Sequence, residues 1–163
     1  ELPIFLKIAP DIDQTNLETI IKVAYNQKIT GLIISNTTIE RITGLKSKNI
    51  NEVGGLSGKP LFSKSTNLLA VANQMIKTNN YKLYLIAAGG VSDQYSAYTK
   101  ILCGADLIQL YSSMTYEGPM IANKIIKGIQ DLMKRDNIQS LDDIRGIASN
   151  VEIAVKIAKN GLK

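Results

Sequence analysis

The stretch Leu83 to Met114, LYLIAAGGVSDQYSAYTKILCGADLIQLYSSM, limits the possible folds more than any other part of the chain. Two short apolar runs, Leu83 to Ala88 and Leu107 to Tyr111, flank a segment of helical length, Asp93 to Cys103, which opens on the capping residues Ser92 and Asp93. Strands joined through a helix lie parallel, because an antiparallel pair closes through a short turn. The stretch is one βαβ unit. Gly89-Gly90 lets the backbone approach a ligand at the end of the first strand, and Ser112-Ser113 offers amides and hydroxyls at the end of the second, just before another helix. In parallel α/β proteins the carboxyl edge of the sheet is where ligands bind.

The rest of the chain repeats the pattern. Pro3 to Pro10, PIFLKIAP, reads as a buried-type strand bounded by prolines, with Lys7 set among Ile4, Phe5, Leu6 and Ile8. Leu17, Ile20, Ile21 and Ala24 then recur at helical spacing, with the Asp11/Asp13 pair placed to cap the helix start. Gly31 to Ser35, GLIIS, is continuously apolar, as a parallel strand covered on both faces should be, and it runs into Asn36-Thr37-Thr38. The segment from Ile39 to Lys64 exceeds the roughly 2 to 6 residues of an ordinary βα connection, and long loops there are usually functional. It carries Gly54-Gly55-Leu56-Ser57-Gly58; Ser65-Thr66 then caps a helix with Leu68, Leu69, Ala72 and Ile76 inward. After Gly118-Pro119 a long amphipathic helix turns Ile121, Ile125, Ile129 and Leu132 inward. From Asn137 the chain reads as short helices, SLDDIRGIA and then a basic amphipathic tail from Val151 to Lys163.

Four βα units with right-handed crossovers give four parallel strands with their helices on one side. A complete (β/α)8 barrel takes roughly 250 residues, so four units make half of one. An open half leaves two strand edges unpaired and one apolar sheet face uncovered. The chain, which begins at Glu1, is therefore expected to be the C-terminal half of something larger or to pair with another half, and to be marginal and sticky alone.

Composition narrows the chemistry. One cysteine and no histidine exclude disulfide frameworks, His/Cys metal sites and histidine-based triads. The longest apolar runs are about six residues against the roughly 20 that cross a bilayer, and the N-terminus is no signal peptide, so the chain as given is expected to be soluble. The net charge of +5 is scattered, without Trp, so no nucleic-acid partner is expected and a small anionic ligand fits better.

Lys7 reads either as a lysine protecting an edge strand or as a cation at the ligand side of the sheet, placed to stabilise negative charge on a bound ring or phosphate. Ser35-Asn36-Thr37-Thr38 is either a polar turn or a cluster that reads a planar polar ligand by its donors and acceptors. Gly54, Gly55 and Gly58 lack GxGxxG or P-loop spacing and say little alone. Gly89-Gly90 with Tyr111-Ser112 is stronger, because two consecutive strand ends presenting backbone donors match the phosphate site after strands seven and eight of a barrel. Cys103 reads as a core thiol, and no metal site follows from the carboxylates.

Taken together, Lys7-Ile8-Ala9-Pro10-Asp11, Ser35-Asn36-Thr37-Thr38, Gly54-Gly55-Leu56-Ser57-Gly58-Lys59-Pro60-Leu61, Ser65-Thr66, Gly89-Gly90-Val91 and Gln109-Leu110-Tyr111-Ser112 resemble the dihydroorotate dehydrogenases, in the order and spacing of that family's quinone-linked, membrane-associated class 2. The resemblance runs from Glu1 to about Ala148. It implies an α/β fold, the C-terminal half (strands five to eight) of a (β/α)8 TIM barrel that holds FMN at the carboxyl ends of its strands, with residues 1–149 as that half and residues 150–163 as a basic helical tail of unknown role. It also implies that Lys7, Ser35, Gly58, Gly90, Tyr111 and Ser112 contact FMN, Lys7 near the pyrimidine edge and the last three mostly through backbone amides at the phosphate. Asn36 and Thr37 would hydrogen-bond dihydroorotate or orotate. The implied reaction is oxidation of dihydroorotate to orotate in pyrimidine biosynthesis, with a quinone reoxidising the flavin. The family's catalytic base is a serine in the barrel's first half, which nothing here matches, and its membrane-binding helices are N-terminal too. An inactive half-barrel acting as an assembly module, and a different FMN- or phosphate-binding barrel, are the competing expectations.

Overall fold

The structure is a computed structural model that describes residues 2–41 and 43–162. Strands β1 (Phe5–Ile8), β2 (Gly31–Ile34), β3 (Tyr84–Ala88) and β4 (Leu107–Gln109) form one sheet in chain order, each pair parallel. A doubly wound sheet reverses its strand order at a switch point, whereas a barrel adds strands in sequence. The order seen here is that of a barrel segment. Helices α1 (Gln14–Asn26), α2 (Phe62–Thr78), α3 (Gln94–Leu102), α4 (Ser112–Glu117), α5 (Ile121–Arg135) and α6 (Val151–Asn160) complete the described chain, with short 3₁₀ turns at Lys59–Leu61 and Leu141–Asp143.

Register assigns the faces. Ile8, Ile34, Ala87 and Ile108 lie in one row and Leu6, Leu32 and Leu85 in the next. Ile8, Leu32, Ile34, Leu85 and Ala87 are buried in the main core against Leu17 and Ile21 of α1, Leu69 of α2, Tyr98 and Leu102 of α3 and Ala154 of α6. The opposite face carries the row Lys7, Ile33, Ile86 and Leu107 and the row Phe5, Gly31 and Tyr84. On that face Tyr84 is 59% and Leu107 62% exposed. One face is thus packed under helices and the other presents large apolar side chains to solvent, as the half-barrel expectation requires.

Three local expectations change. The strands are shorter than their apolar runs: β2 ends at Ile34, although the Asn36 amide still donates to the Ile8 carbonyl at 2.8 Å, and β4 ends at Gln109, before Tyr111. Only Asp13 caps α1, accepting from the Asn16 amide at 2.8 Å, while Asp11 is drawn to Thr38 and Lys64. Ser65 and Thr66 do not cap a helix. Pro60, suited to the start of a helical turn, is the second residue of the 3₁₀ turn that leads directly into α2 at Phe62, so both hydroxyls fall inside the helix and can bond back to the Phe62 carbonyl.

The basic tail forms α6, capped by Asn150 at the Ile153 amide. Val151, Ala154 and Ala158 are buried, and the Arg135 guanidinium donates to the Ala158 carbonyl at 2.9 Å, satisfying an unpaired acceptor at the helix end. Cys103 follows α3 as its C-cap; burial pushes its thiol up to about 12, which suits a core position and not a nucleophile.

The most costly buried group is Lys100 of α3, which is fully inaccessible. Burial lowers its ammonium from 10.5 to about 7. The unfolded chain therefore holds a proton that the folded chain releases above about pH 7, so stability rises with pH until Cys103 and Tyr98, whose ionisation folding suppresses, begin to oppose it near their unfolded values of 9.0 and 10.0. Between about pH 7 and 8.5 the unfolding free energy should climb, with a slope of up to ~1.4 kcal/mol per pH unit, and Lys100→Met should flatten that climb. Urea titrations at several pH values measure it. The uncovered face makes a separate prediction: the isolated chain should self-associate on gel filtration and bind a hydrophobic dye, and Tyr84→Lys with Leu107→Lys should reduce both.

Candidate functional site

All four strands deliver their carboxyl ends to one cavity of about 970 Å³, within the usual size for a cofactor site. From β1 comes Lys7, whose side chain is exposed on the uncovered face. From the end of β2 come Ser35, Asn36 and Thr37. Ser35 is buried, its amide donating to the Ala88 carbonyl at 3.0 Å and its hydroxyl to the Asn36 carbonyl at 2.8 Å, while the Asn36 and Thr37 side chains stay exposed to the cavity.

The long connection after β2 folds back onto this edge. Thr38 and Leu56 exchange backbone hydrogen bonds at 3.2 and 2.7 Å, forming an antiparallel bridge. Gly55 lies so close beneath Thr37 that a Cβ there would fall 1.9 Å from the Thr37 hydroxyl, which explains the glycine. The Arg41 guanidinium gathers the carbonyls of Ile39, Ile50, Glu52 and Gly54. At its base the loop is tied by Asp11, which accepts from the Thr38 hydroxyl, the Ile39 amide and the Lys64 ammonium, while Lys64 also pairs with Glu40. Partial burial pushes the Asp11 carboxyl up, and those donors outweigh it and hold it below the usual carboxylate range. The loop brings Ser57, Gly58 and Lys59 to the cavity wall.

The ends of β3 and β4 supply the opposite wall. Gly90, at φ +78°, is pressed onto α2 so tightly that a Cβ would lie 2.4 Å from Phe62 Cα. Beyond β4, Tyr111 is exposed, and the Ser112 hydroxyl donates to Ser57 at 3.0 Å, joining the β4 end to the Gly58 loop. Ser113 is buried, and among the described residues its hydroxyl has no partner. Lys7, Ser35, Asn36, Thr37, Gly58, Gly90, Tyr111 and Ser112 all line this one cavity.

The cavity's chemistry is that of an anion holder with a planar-ligand wall. Its charged lining residues are Lys7, Lys59 and Glu117, a net positive set. A glycine that no side chain could replace and an unpartnered Ser113 hydroxyl sit at the end expected to hold phosphate. Asn36 and Thr37 offer donors and acceptors at the β2 wall. This donor set has the cationic and hydrogen-bonding groups that a planar, phosphate-bearing ligand such as a flavin mononucleotide requires.

Ser113, singled out with Ser112 in the sequence, does line the cavity, whereas sequence reasoning assigned no site role to Lys59 or Gln109 and missed the Asp11–Lys64 tie behind the lining. It also missed Lys100, whose signal was present: a lone lysine in the otherwise buried run Ala97 to Leu102.

A family profile described as dihydroorotate dehydrogenase matches residues 1–133. Proteins named dihydroorotate dehydrogenase (quinone) from Sinorhizobium medicae and Rhizobium meliloti are 44% and 46% identical over 144 and 146 residues, 88% and 89% of this chain and 39% of each relative. A crystal structure of the Eimeria tenella enzyme in complex with ferulenol superposes with a TM-score of 0.83 at 35% identity, covering 89% of this chain and 38% of that one. The chain spans about two fifths of the proteins it matches, and these likenesses extend through the elements that build the cavity. It belongs to the dihydroorotate dehydrogenase family.

Proposed function

We propose that this chain supplies strands five to eight of a (β/α)8 barrel in a quinone-linked dihydroorotate dehydrogenase, and with them one side of the flavin and substrate sites. Residues 1–149 contribute that half, and α6 of the basic tail buttresses it through α3. The supporting observation is convergence: eight residues chosen from sequence for flavin or substrate contact line a single cavity at the carboxyl edge of four parallel strands.

FMN, when bound, accepts hydride from dihydroorotate and passes electrons to a quinone. The chain's residues bind and orient. The Lys7 ammonium, exposed on the uncovered face, places positive charge where the reduced ring would gain negative charge. Ser35, locked between the β3 end and its own neighbour, holds the floor beside it. Backbone amides of Gly90, Tyr111 and Ser112, with the Gly58 turn across from them, take the phosphate. Asn36 and Thr37 hold the substrate's ring through its amide and carbonyl groups, which fixes the carbon that loses hydride. Gly55 beneath Thr37 and the Arg41-braced loop keep that wall in place.

The proton-accepting serine belongs to the part of the protein outside this chain, as do the helices that meet membrane and quinone. A peripheral membrane location follows for the whole protein. Within the described residues no helix is long and apolar enough to cross a membrane. The uncovered face with Tyr84 and Leu107 supports the same division, because remaining strands would cover it.

The full-length protein should purify yellow, with flavin absorbance that bleaches when dihydroorotate is added without an acceptor and returns with a quinone. The 163-residue chain mixed with FMN and desalted should retain little or no flavin. A colourless full-length protein, or one bleached equally by unrelated reduced substrates, would count against the proposal. Asn36→Ala should lower kcat/KM for dihydroorotate by roughly 10- to 100-fold while flavin content is unchanged, the cost of losing paired ring contacts; steady-state kinetics beside the flavin-to-protein absorbance ratio tests this.

A further inference from the structure

A buried cation is joined through one hydroxyl to the Gly89-Gly90 turn that lines the cavity. The Lys100 ammonium donates to Ser65 Oγ and Thr66 Oγ1, each at 2.9 Å, and lies 5.4 Å from the centre of the Phe62 ring. Among the described residues no carboxylate pairs with it. A fully buried ammonium compensated only by two hydroxyls and a ring face opposes folding, and a hydrophobic side chain of its length would serve packing better.

Its contacts lead to the cavity. The Ser65 hydroxyl lies 3.1 Å from the Gly89 carbonyl, to which it can donate while accepting from Lys100. A trans peptide sets its C=O and N–H on opposite sides, so holding the Gly89 carbonyl at Ser65 fixes the Gly90 N–H on the side away from Ser65. Gly90 lines the cavity and packs on Phe62, whose ring faces the same ammonium. Lys100 thus braces the Gly89-Gly90 peptide from beneath by two routes.

We propose that Lys100 is the positioning residue of the phosphate subsite: acting through Ser65, it sets the Gly89-Gly90 peptide and supplies the buried positive charge that selects a phosphate-bearing flavin over the same flavin without phosphate. This inference rests on the flavin reading above. Burial lowers the Lys100 ammonium, and a phosphate in the adjacent cavity would favour its charged form, so the penalty in the flavin-free protein would be offset when the anion binds. A lysine that only cements α2 to α3 would affect both flavins alike.

The test uses the flavin-stripped full-length protein carrying this chain, titrated with FMN and with riboflavin by quenching of flavin fluorescence. Lys100→Met should weaken FMN by about tenfold or more, the effect of one buried charge at close range, and leave riboflavin nearly unchanged. Ser65→Ala, which keeps the ammonium and cuts its link to Gly89, should weaken FMN in the same selective way by a smaller factor. Equal losses for both flavins, or no loss for either, overturn the proposal. If Lys100→Met does not unfold cooperatively as apoprotein, Ser65→Ala decides: FMN-selective weakening supports the brace and uniform weakening overturns it. Wild-type protein that binds neither flavin overturns the flavin reading and this inference with it.

Discussion

Parallel pairing of the four strands in chain order is the constraint on which the site depends. Because Lys7, Ile33, Ile86 and Leu107 share one row, the next residues outward along each strand emerge together at one edge, and the chain must leave the sheet there four times. A one-residue slip of β1 would send Lys7 to the helix-covered face and bury Leu6's neighbours wrongly. The helices enforce the register. Ile8, Leu32, Ile34, Leu85 and Ala87 all enter the common core with α1, α2, α3 and α6, so slippage would move several large apolar side chains into solvent.

What the strand ends then do depends on how each loop is held. The β3 end is held by close approach: glycine is required at Gly90 because Phe62 occupies the space of a side chain. The β2 end is held at a distance. Asp11, after β1, meets Thr38 after β2 and Lys64 in α2, so one carboxylate fastens two connections and a helix at the rim. The same function could not be met by Asp11 as a helix cap, and Asp13 alone serves α1.

The two halves of the electrostatic arrangement differ in kind. Lys7 stands on the open face with its charge available to a ligand, and it costs little to keep there. Lys100 is sealed between α2 and α3, where its charge is expensive, and among the described residues its hydrogen bonds go to Ser65 and Thr66, with the Phe62 ring beside it. In the role proposed for it, a costly buried cation beside the Gly89-Gly90 turn would trade stability for ligand selection.

By itself the sequence determined the repeating βα pattern, the parallel sheet and the residues at the strand ends, because apolar periodicity and the glycine, serine and asparagine punctuation that follows each strand are local properties of the chain. It determined the family through the joint spacing of those motifs. It misjudged Asp11 because a capping residue type marks a helix start only when no stronger partner competes, and the competitors Thr38 and Lys64 are 27 and 53 residues away in the chain; it misjudged the Ser65-Thr66 pair because the helix starts earlier, at Phe62, behind the Lys59–Leu61 turn. Only the tertiary structure decided that the long loop folds back through the Thr38–Leu56 bridge, that α6 is part of the core and that Lys100 lies under the Gly89-Gly90 turn. Those outcomes depend on which surfaces meet across the fold, and burial and long-range hydrogen bonding are properties that no short window of sequence contains.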